Sequence, residues 1–212
     1  AASDVYKRQV LPLWVADMDF SCAQPVIDAV TEVAQMGIYG YTYPPPSYYD
    51  SVVRWMLRRH NWIVERDSIC FTPGVVPALH LLVSAYTEPE DKVLIQPPVY
   101  YPFFNAIETT GTKVVTNPLH YQDGRYSMDF DDLALKCADP GVKMAILCSP
   151  HNPVGRVWTE DELRRFGQIC MNNNVLIVSD EIHGDLILGD RKFTPYATLG
   201  PEYEDQSIIC TC

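Results

Sequence analysis

The sequence is short of positive charge. Its 212 residues carry 16 lysines and arginines against 27 aspartates and glutamates, a formal net charge of -11 at pH 7. No basic stripe is present to neutralise a phosphate backbone, so a nucleic-acid partner is not expected. The chain also lacks an apolar run long enough to span a bilayer, and its first residues lack the basic, apolar and small-residue succession of a signal peptide. These absences predict a cytoplasmic protein with no membrane contact. The seven cysteines, Cys22, Cys70, Cys137, Cys148, Cys170, Cys210 and Cys212, are odd in number, scattered and often set inside apolar runs. They imply neither a disulfide framework nor a metal site. Cys210 and Cys212 form a lone Cys-x-Cys and read as strand residues, because a zinc site needs a second ligand pair. There is no internal repeat and no low-complexity tract. What remains, 47% hydrophobic and 20% charged, suits one large domain or one domain plus part of another.

Residues 1–9 show no apolar period and no turn logic, and are expected to be a disordered or non-native leader. Pro25 opens a helix with Val26, Ile27, Val30 and Val33 on one face, and Gly37 suits its C-terminal cap. Ser47 followed by Asp50 resembles a capping box for a second helix carrying Val52, Val53, Met56 and Leu57. Strand and helix then alternate. Strands are expected at Ile69–Phe71, Lys92–Ile95, Lys113–Thr116, Met144–Cys148, Val175–Ser179 and Ser207–Thr211. Helices are expected at Val75–Tyr86, Phe103–Thr110, Asp129–Cys137 and Thr159–Asn173, the last with a Thr159/Glu162 capping box. Short, nearly continuous apolar strands between helices predict an α/β fold with a mostly parallel sheet covered on both faces, three layers in all.

In open α/β sheets ligands collect beyond the carboxyl ends of the strands. Four such exits carry unusual chemistry. Thr72-Pro-Gly-Val-Val76 is a glycine turn running into a helix, where free N–H groups and the positive dipole end suit a phosphate. Most such turns hold nothing. Gln96-Pro-Pro-Val-Tyr-Tyr-Pro102 stiffens the backbone and presents Tyr100 or Tyr101, either for stacking or simply to pack a helix start. Ser149-Pro-His-Asn-Pro-Val-Gly155 sets two prolines around a His-Asn pair, although His151 also reads as a surface loop histidine and Asn152 as a turn residue. Asp180-Glu-Ile-His183 puts a carboxylate at the end of a central strand, where an N-cap is the ordinary alternative. Taken together, the exits suit a planar, phosphorylated, nitrogen-bearing ring: pyridoxal 5'-phosphate (PLP).

Leu11-Pro-Leu-Trp-Val-Ala-Asp-Met-Asp-Phe20, Tyr39-Gly-Tyr41, Gly74-Val-Val76, Pro98-Val-Tyr-Tyr-Pro102, His151-Asn-Pro-Val-Gly155 and Ser179-Asp-Glu-Ile-His183 resemble the MalY/PatB group of cystathionine β-lyases among the fold type I PLP-dependent enzymes. The likeness runs from about Val10 to Cys212. Asn-Pro-x-Gly and the Asp-Glu pair are shared by many aminotransferases of this fold, whereas Trp14 to Phe20 is closer to the lyases. The resemblance implies a fold type I PLP-dependent transferase-like architecture, with residues 10–40 belonging to the small domain and residues 41–212 forming an incomplete large PLP-binding domain. By resemblance Asp180 pairs with the ring nitrogen, Tyr100 stacks on the ring and Asn152 donates to its phenolate oxygen. Val75 and Val76 hold the phosphate through backbone N–H groups, His183 stands near the phenolate oxygen, and Ala16 meets the substrate carboxylate. Tyr41 reaches the cofactor of a neighbouring subunit, which implies a homodimer with shared active sites.

The implied reaction is β-elimination from a sulfur-containing L-amino acid such as cystathionine, giving a thiol, pyruvate and ammonia. An aminotransferase for aromatic or sulfur amino acids is the alternative, and a non-catalytic regulatory protein of the same fold is a third reading. By resemblance the Schiff-base lysine follows the strand after the one carrying Asp180, in a Ser-x-Ser-Lys or Ser-Pro-Ser-Lys type of segment. Ser207–Thr211 resembles that strand, and the sequence stops there, before the C-terminal small domain. Lys7, Lys92, Lys113, Lys136, Lys143 and Lys192 lie in no such segment. The 212 residues alone are therefore expected to lack turnover, to bind PLP weakly and non-covalently at best, and to aggregate.

Overall fold

The computed structural model describes residues 20–212, so Ala16, the leader at 1–9 and most of the Leu11–Phe20 motif lie outside the described residues. The chain divides into two compact units, Ala1–Pro44 and Pro45–Cys212. In the first, helix α1 (Gln24–Met36) begins with a proline in its first turn and ends at Gly37, whose φ of 68° gives the left-handed cap that glycine adopts without a Cβ penalty. Both ends fall where the proline and glycine signals put them.

The second unit opens with α2 (Pro46–His60), whose N-cap is Pro45. The Ser47/Asp50 capping box does not form, because Pro46, with its fixed φ and missing N–H, starts the helix ahead of the serine. Ser47 instead lies inside the first turn, its carbonyl accepting from Ser51 Oγ at 2.7 Å. A 3-10 turn at Arg66–Ser68 follows, and the Ile69 N–H turns back to the Arg66 carbonyl at 3.1 Å. Ile69–Phe71 is not a strand. Three residues of suitable propensity need a neighbouring backbone to pair with, and these have none among the described residues.

From there the alternation holds: α3 (Val75–Tyr86), β1 (Lys92–Ile95), α4 (Pro102–Glu108), β2 (Lys113–Thr116), a hairpin of β3 (His120–Gln122) and β4 (Arg125–Ser127), α5 (Phe130–Cys137), β5 (Val142–Cys148), α6 (Glu160–Asn172), β6 (Leu176–Asp180), α7 (Pro201–Asp205) and β7 (Ser207–Cys210). Helix α6 has the expected box: the Glu162 N–H donates to Thr159 Oγ1 at 3.2 Å, and the Thr159 N–H donates to Glu162 Oε2 at 2.8 Å. The hairpin was not expected, although Asp123 and Gly124, both at positive φ, make the two-residue turn that strand twist favours.

Five strands form one parallel sheet in the order β2-β1-β5-β6-β7. Side chains alternate across it with period two. Leu94, Ala145, Leu147 and Ile177 pack on one face against Leu133 of α5 and Leu163, Phe166 and Cys170 of α6. Val93, Ile95, Met144, Ile146 and Val178 pack on the other against Leu79 and Val83 of α3 and Phe103 and Ile107 of α4. The strands are covered on both faces, as their unbroken apolar runs require, and the sheet has helices above and below.

Candidate active site

Three adjacent strands, β1, β5 and β6, release their chains at the same end of the sheet. Their exits carry Tyr100, Asn152 and Asp180. Helix α3 brings a fourth element to that end: its C-terminus connects through residues 87–91 to the amino end of β1, so its N-terminus points the opposite way. There Gly74 is the N-cap at φ 127°, a conformation that excludes most side chains, and Pro77 has no N–H to offer. The Ala78 N–H is already bonded to the Gly74 carbonyl at 3.1 Å. The backbone N–H groups of Val75 and Val76 are thus the open donors of the first turn, as a phosphate cradle needs, while their side chains are half-buried.

Asp180 is the last residue of β6, in register between Cys148 of β5 and Cys210 of β7, and only 4% exposed. One carboxylate oxygen accepts the Ile182 N–H at 3.1 Å, and no helix follows, so the N-cap alternative does not apply. No lysine or arginine pairs with it among the described residues. Burial raises its pKa to about 6, against the lowering pull of the Ile182 N–H and of His183. Burial, helped by the same carboxylate, pushes the Cys148 thiol to about 12, making it an inert neighbour rather than a nucleophile.

Tyr100 is half-buried and packs edge-on to Phe103 at 6.3 Å between ring centroids, while Tyr101 is 70% exposed. Tyr100 is thus the less exposed of the two tyrosines at this exit. The Asn152 side chain has no hydrogen-bond partner among the described residues and is free to meet a ligand. His183 is half-buried in the turn after β6, its carbonyl accepting the Leu186 N–H at 2.9 Å. Two residues on, Asp185 accepts from Trp55 Nε1 of α2 at 2.7 Å, which fixes the turn from behind. Tyr41, in the first unit, is fully exposed.

Several polar residues at these exits carry no signal in the sequence. Gln96 and Asn117, separated along the chain but both buried, join Nε2 to Oδ1 at 2.9 Å and tie the β1 and β2 exits together. His151 is no surface histidine. It is 2% exposed, its ring edge-on to Trp158 at 5.5 Å. Glu181 is buried behind Asp180, accepting from Ser179 Oγ at 2.9 Å and from the Tyr196 N–H at 2.8 Å. It borders a cleft of about 230 Å³ whose walls include Met56, Trp62 and Phe193 but none of Tyr100, Asn152 or Val75.

Burial raises the Glu181 carboxyl to about 8, well above its ordinary value. The folded state therefore keeps a proton that the unfolded chain releases, so this group's stabilisation is full below about pH 4.5 and is lost as pH rises toward 8. In Glu181→Gln, which keeps an acceptor oxygen, urea midpoints are expected to fall less between pH 5 and 8 than in the parent. Equal slopes would show that the carboxyl is not the group responsible.

The described lysines avoid the site. Lys92 and Lys113 stand at the amino ends of β1 and β2, Lys92 paired with Asp139 at 2.5 Å and Lys113 with Glu90. Lys136 lies at the carboxyl end of the outer strand β2, where its amine is held by Asp132 and the Thr116 carbonyl and not at the exits of β1, β5 or β6, while Lys143 and Lys192 are exposed.

A three-layer α/β molecule with a phosphate-type helix N-terminus, a free amide and a buried unpaired carboxylate at adjoining strand exits has the architecture of the fold type I PLP-dependent enzymes. The aminotransferase class I and II family profile matches residues 8–212, and the chain belongs to that family. It is 48% identical to cystathionine beta-lyase PatB of Bacillus subtilis (strain 168) over 94% of this chain and 52% of that protein. Cystalysin from Treponema denticola, whose crystal structure contains a pyridoxal 5'-phosphate cofactor, superposes with a TM-score of 0.92 at 39% identity, covering 97% of this chain and 52% of that one. The PLP-bound C-S lyase from Staphylococcus hominis gives 0.88 at 37% identity, covering 93% and 51%. The chain spans about half the length of the curated relatives it matches. Among the described residues, no helix is long and apolar enough to cross a membrane.

Proposed function

We propose that the whole protein is a PLP-dependent carbon-sulfur β-lyase of the cystathionine β-lyase type. The observation that carries the reading is Asp180: a carboxylate that is 4% exposed, raised to a pKa of about 6 and without a lysine or arginine partner among the described residues calls for a positively charged ligand group against it. A protonated ring nitrogen fits. The Val75 and Val76 N–H groups fit the phosphate, Asn152 the phenolate oxygen and Tyr100 the ring face. When bound, PLP supplies an electron sink for the substrate's α-carbon. The chain's own groups hold the ring: Asp180 keeps the nitrogen protonated, Asn152 orients the opposite edge, and Tyr100 shields one face from water.

The lyase assignment draws on the 48% identity to PatB and on the C-S lyase structures, together with Trp14–Phe20. The alternative of an aminotransferase draws on the family as a whole. In the full-length protein, pyruvate release from cystathionine without a keto acid is the expected result, and keto-acid-dependent amino transfer with no pyruvate would overturn it. Since none of the described lysines stands at the exits of β1, β5 or β6, residues 1–212 alone are expected to give no turnover. The reading extends to a cytoplasmic homodimer in which Tyr41 and Ala16 serve the cofactor and the substrate carboxylate.

A further inference from the structure

The three exits are not independent loops. The Ser149 N–H donates to the Asp180 carbonyl at 2.9 Å, which ties the β5 exit to the β6 exit. On its other side the β5 exit is tied to the β1 exit by a side chain: His151 Nε2 lies 3.0 Å from the Pro98 carbonyl, two residues before Tyr100. A carbonyl can only accept, so Nε2 carries the hydrogen, and the buried Nδ1 is left an acceptor with no partner among the described residues. Burial lowers the His151 pKa to about 4, so the ring stays neutral and the tautomer is held at neutral pH. Trp158 backs the imidazole edge-on.

We propose that His151 is a positioning residue that sets Asn152 against the phenolate oxygen of PLP by clamping the Asn152 loop to the Tyr100 loop. The proposal rests on the PLP reading above. The loop's own closure does not need the imidazole. The His151 N–H donates to the Arg156 carbonyl and the Gly155 N–H to the His151 carbonyl, both at 2.8 Å, so the turn around Asn152 stays closed when the side chain changes. What the side chain adds is a fixed distance between this turn and the β1 exit. Among the described residues Asn152 itself is anchored only by its backbone N–H, to Cys148 Sγ at 3.3 Å, a weak acceptor. Without the clamp, the Asn152 amide can drift from the place where the ring edge would sit, with no loss of secondary structure.

The test uses the full-length apoprotein and two probes, PLP and 3-deoxypyridoxal 5'-phosphate, which lacks the phenolic oxygen. Binding is measured by equilibrium dialysis beside the thermal midpoint of each apoprotein. His151→Phe keeps the ring and its packing on Trp158 but removes the donor. It is expected to bind PLP about tenfold more weakly, to bind the deoxy probe within twofold of the parent, and to match Asn152→Ala in that pattern. His151→Gln, which keeps an N–H donor, is expected to recover most of the PLP affinity. Equal weakening toward both probes, or none toward either, would overturn the positioning role. If the parent and Asn152→Ala show no preference for PLP over the deoxy probe, the Asn152 reading fails first and the inference falls with it.

Discussion

In the full-length protein, Asp180→Ala is expected to lower pyruvate release by on the order of 10²–10³-fold, the loss that follows removal of a preorganised charge at a reacting centre. The carboxylate is built into the sheet rather than onto a flexible loop: it ends β6, with a strand paired on either side, and sits beside a backbone bond from Ser149. It cannot swing away to be solvated. Burial raises its pKa only to about 6, so it is ionised at neutral pH yet gains strongly from a cation placed opposite. Asp180→Asn separates charge from shape, since its amide oxygen still accepts the Ile182 N–H. The asparagine variant is expected to lose nearly as much turnover as the alanine one while keeping the parent's urea midpoint. Turnover within fivefold of the parent in Asp180→Asn would show that the charge is not what the site uses.

The largest stability effect is expected at Trp158. It is 2% exposed and lies in the core cluster with Leu147, Leu163 and Phe166, and its Nε1–H donates to the Cys148 carbonyl at 2.9 Å. One indole therefore joins the face of the sheet under α6 to the start of the β5 exit. Arg156, paired with Glu162 at 2.5 Å, lies 4.7 Å from its ring centre. Trp158→Ala removes this anchor and leaves a cavity that a well-packed layer fills only in part, a loss of about 3–5 kcal/mol. Trp158→Phe keeps most of the apolar volume and gives up one hydrogen bond, about 1 kcal/mol. Urea unfolding is the measurement, with the slope unchanged between variants. A loss below about 1 kcal/mol in Trp158→Ala would mean that the core closes over the gap.

The sequence was most legible where a signal is local. The Thr159/Glu162 box, Pro25 and Gly37 each mark a helix end that backbone chemistry alone decides, and β5 and β6 announce themselves as apolar runs too short for helices. It was least legible where an element depends on a distant neighbour. Ile69–Phe71 has a strand's composition but no partner backbone, and Ser47 lost the helix start to a proline whose geometry acts earlier. The motifs at the exits of β1, β5 and β6 and at the start of α3 were readable because glycine, proline and charge are unusual beside apolar runs, although the segment before α3 is no strand. Gln96, Asn117 and Glu181 were not. Their burial follows from strand order: Gln96 meets Asn117 only because β1 lies beside β2, and Glu181 is covered by the segment around Tyr196 that returns from later in the chain. The surface-loop alternative for His151 fails for the same reason, since the carbonyl its ring meets belongs to another strand's exit.

The placement of the lysines also bears on how PLP labelling of this chain must be read. The primary amines of Lys92 and Lys113 crowd the amino ends of the strands, while the ring-holding groups stand at the carboxyl ends. An aldehyde condenses with whatever amine it can reach, so unreduced PLP aldimines on residues 1–212 can colour the molecule yellow from the wrong side, and reduction then fixes the label there. Colour alone is thus a misleading sign of a loaded site here. Only a peptide map can separate a cofactor held at the exits of β1, β5 and β6 from one tethered to the opposite rim.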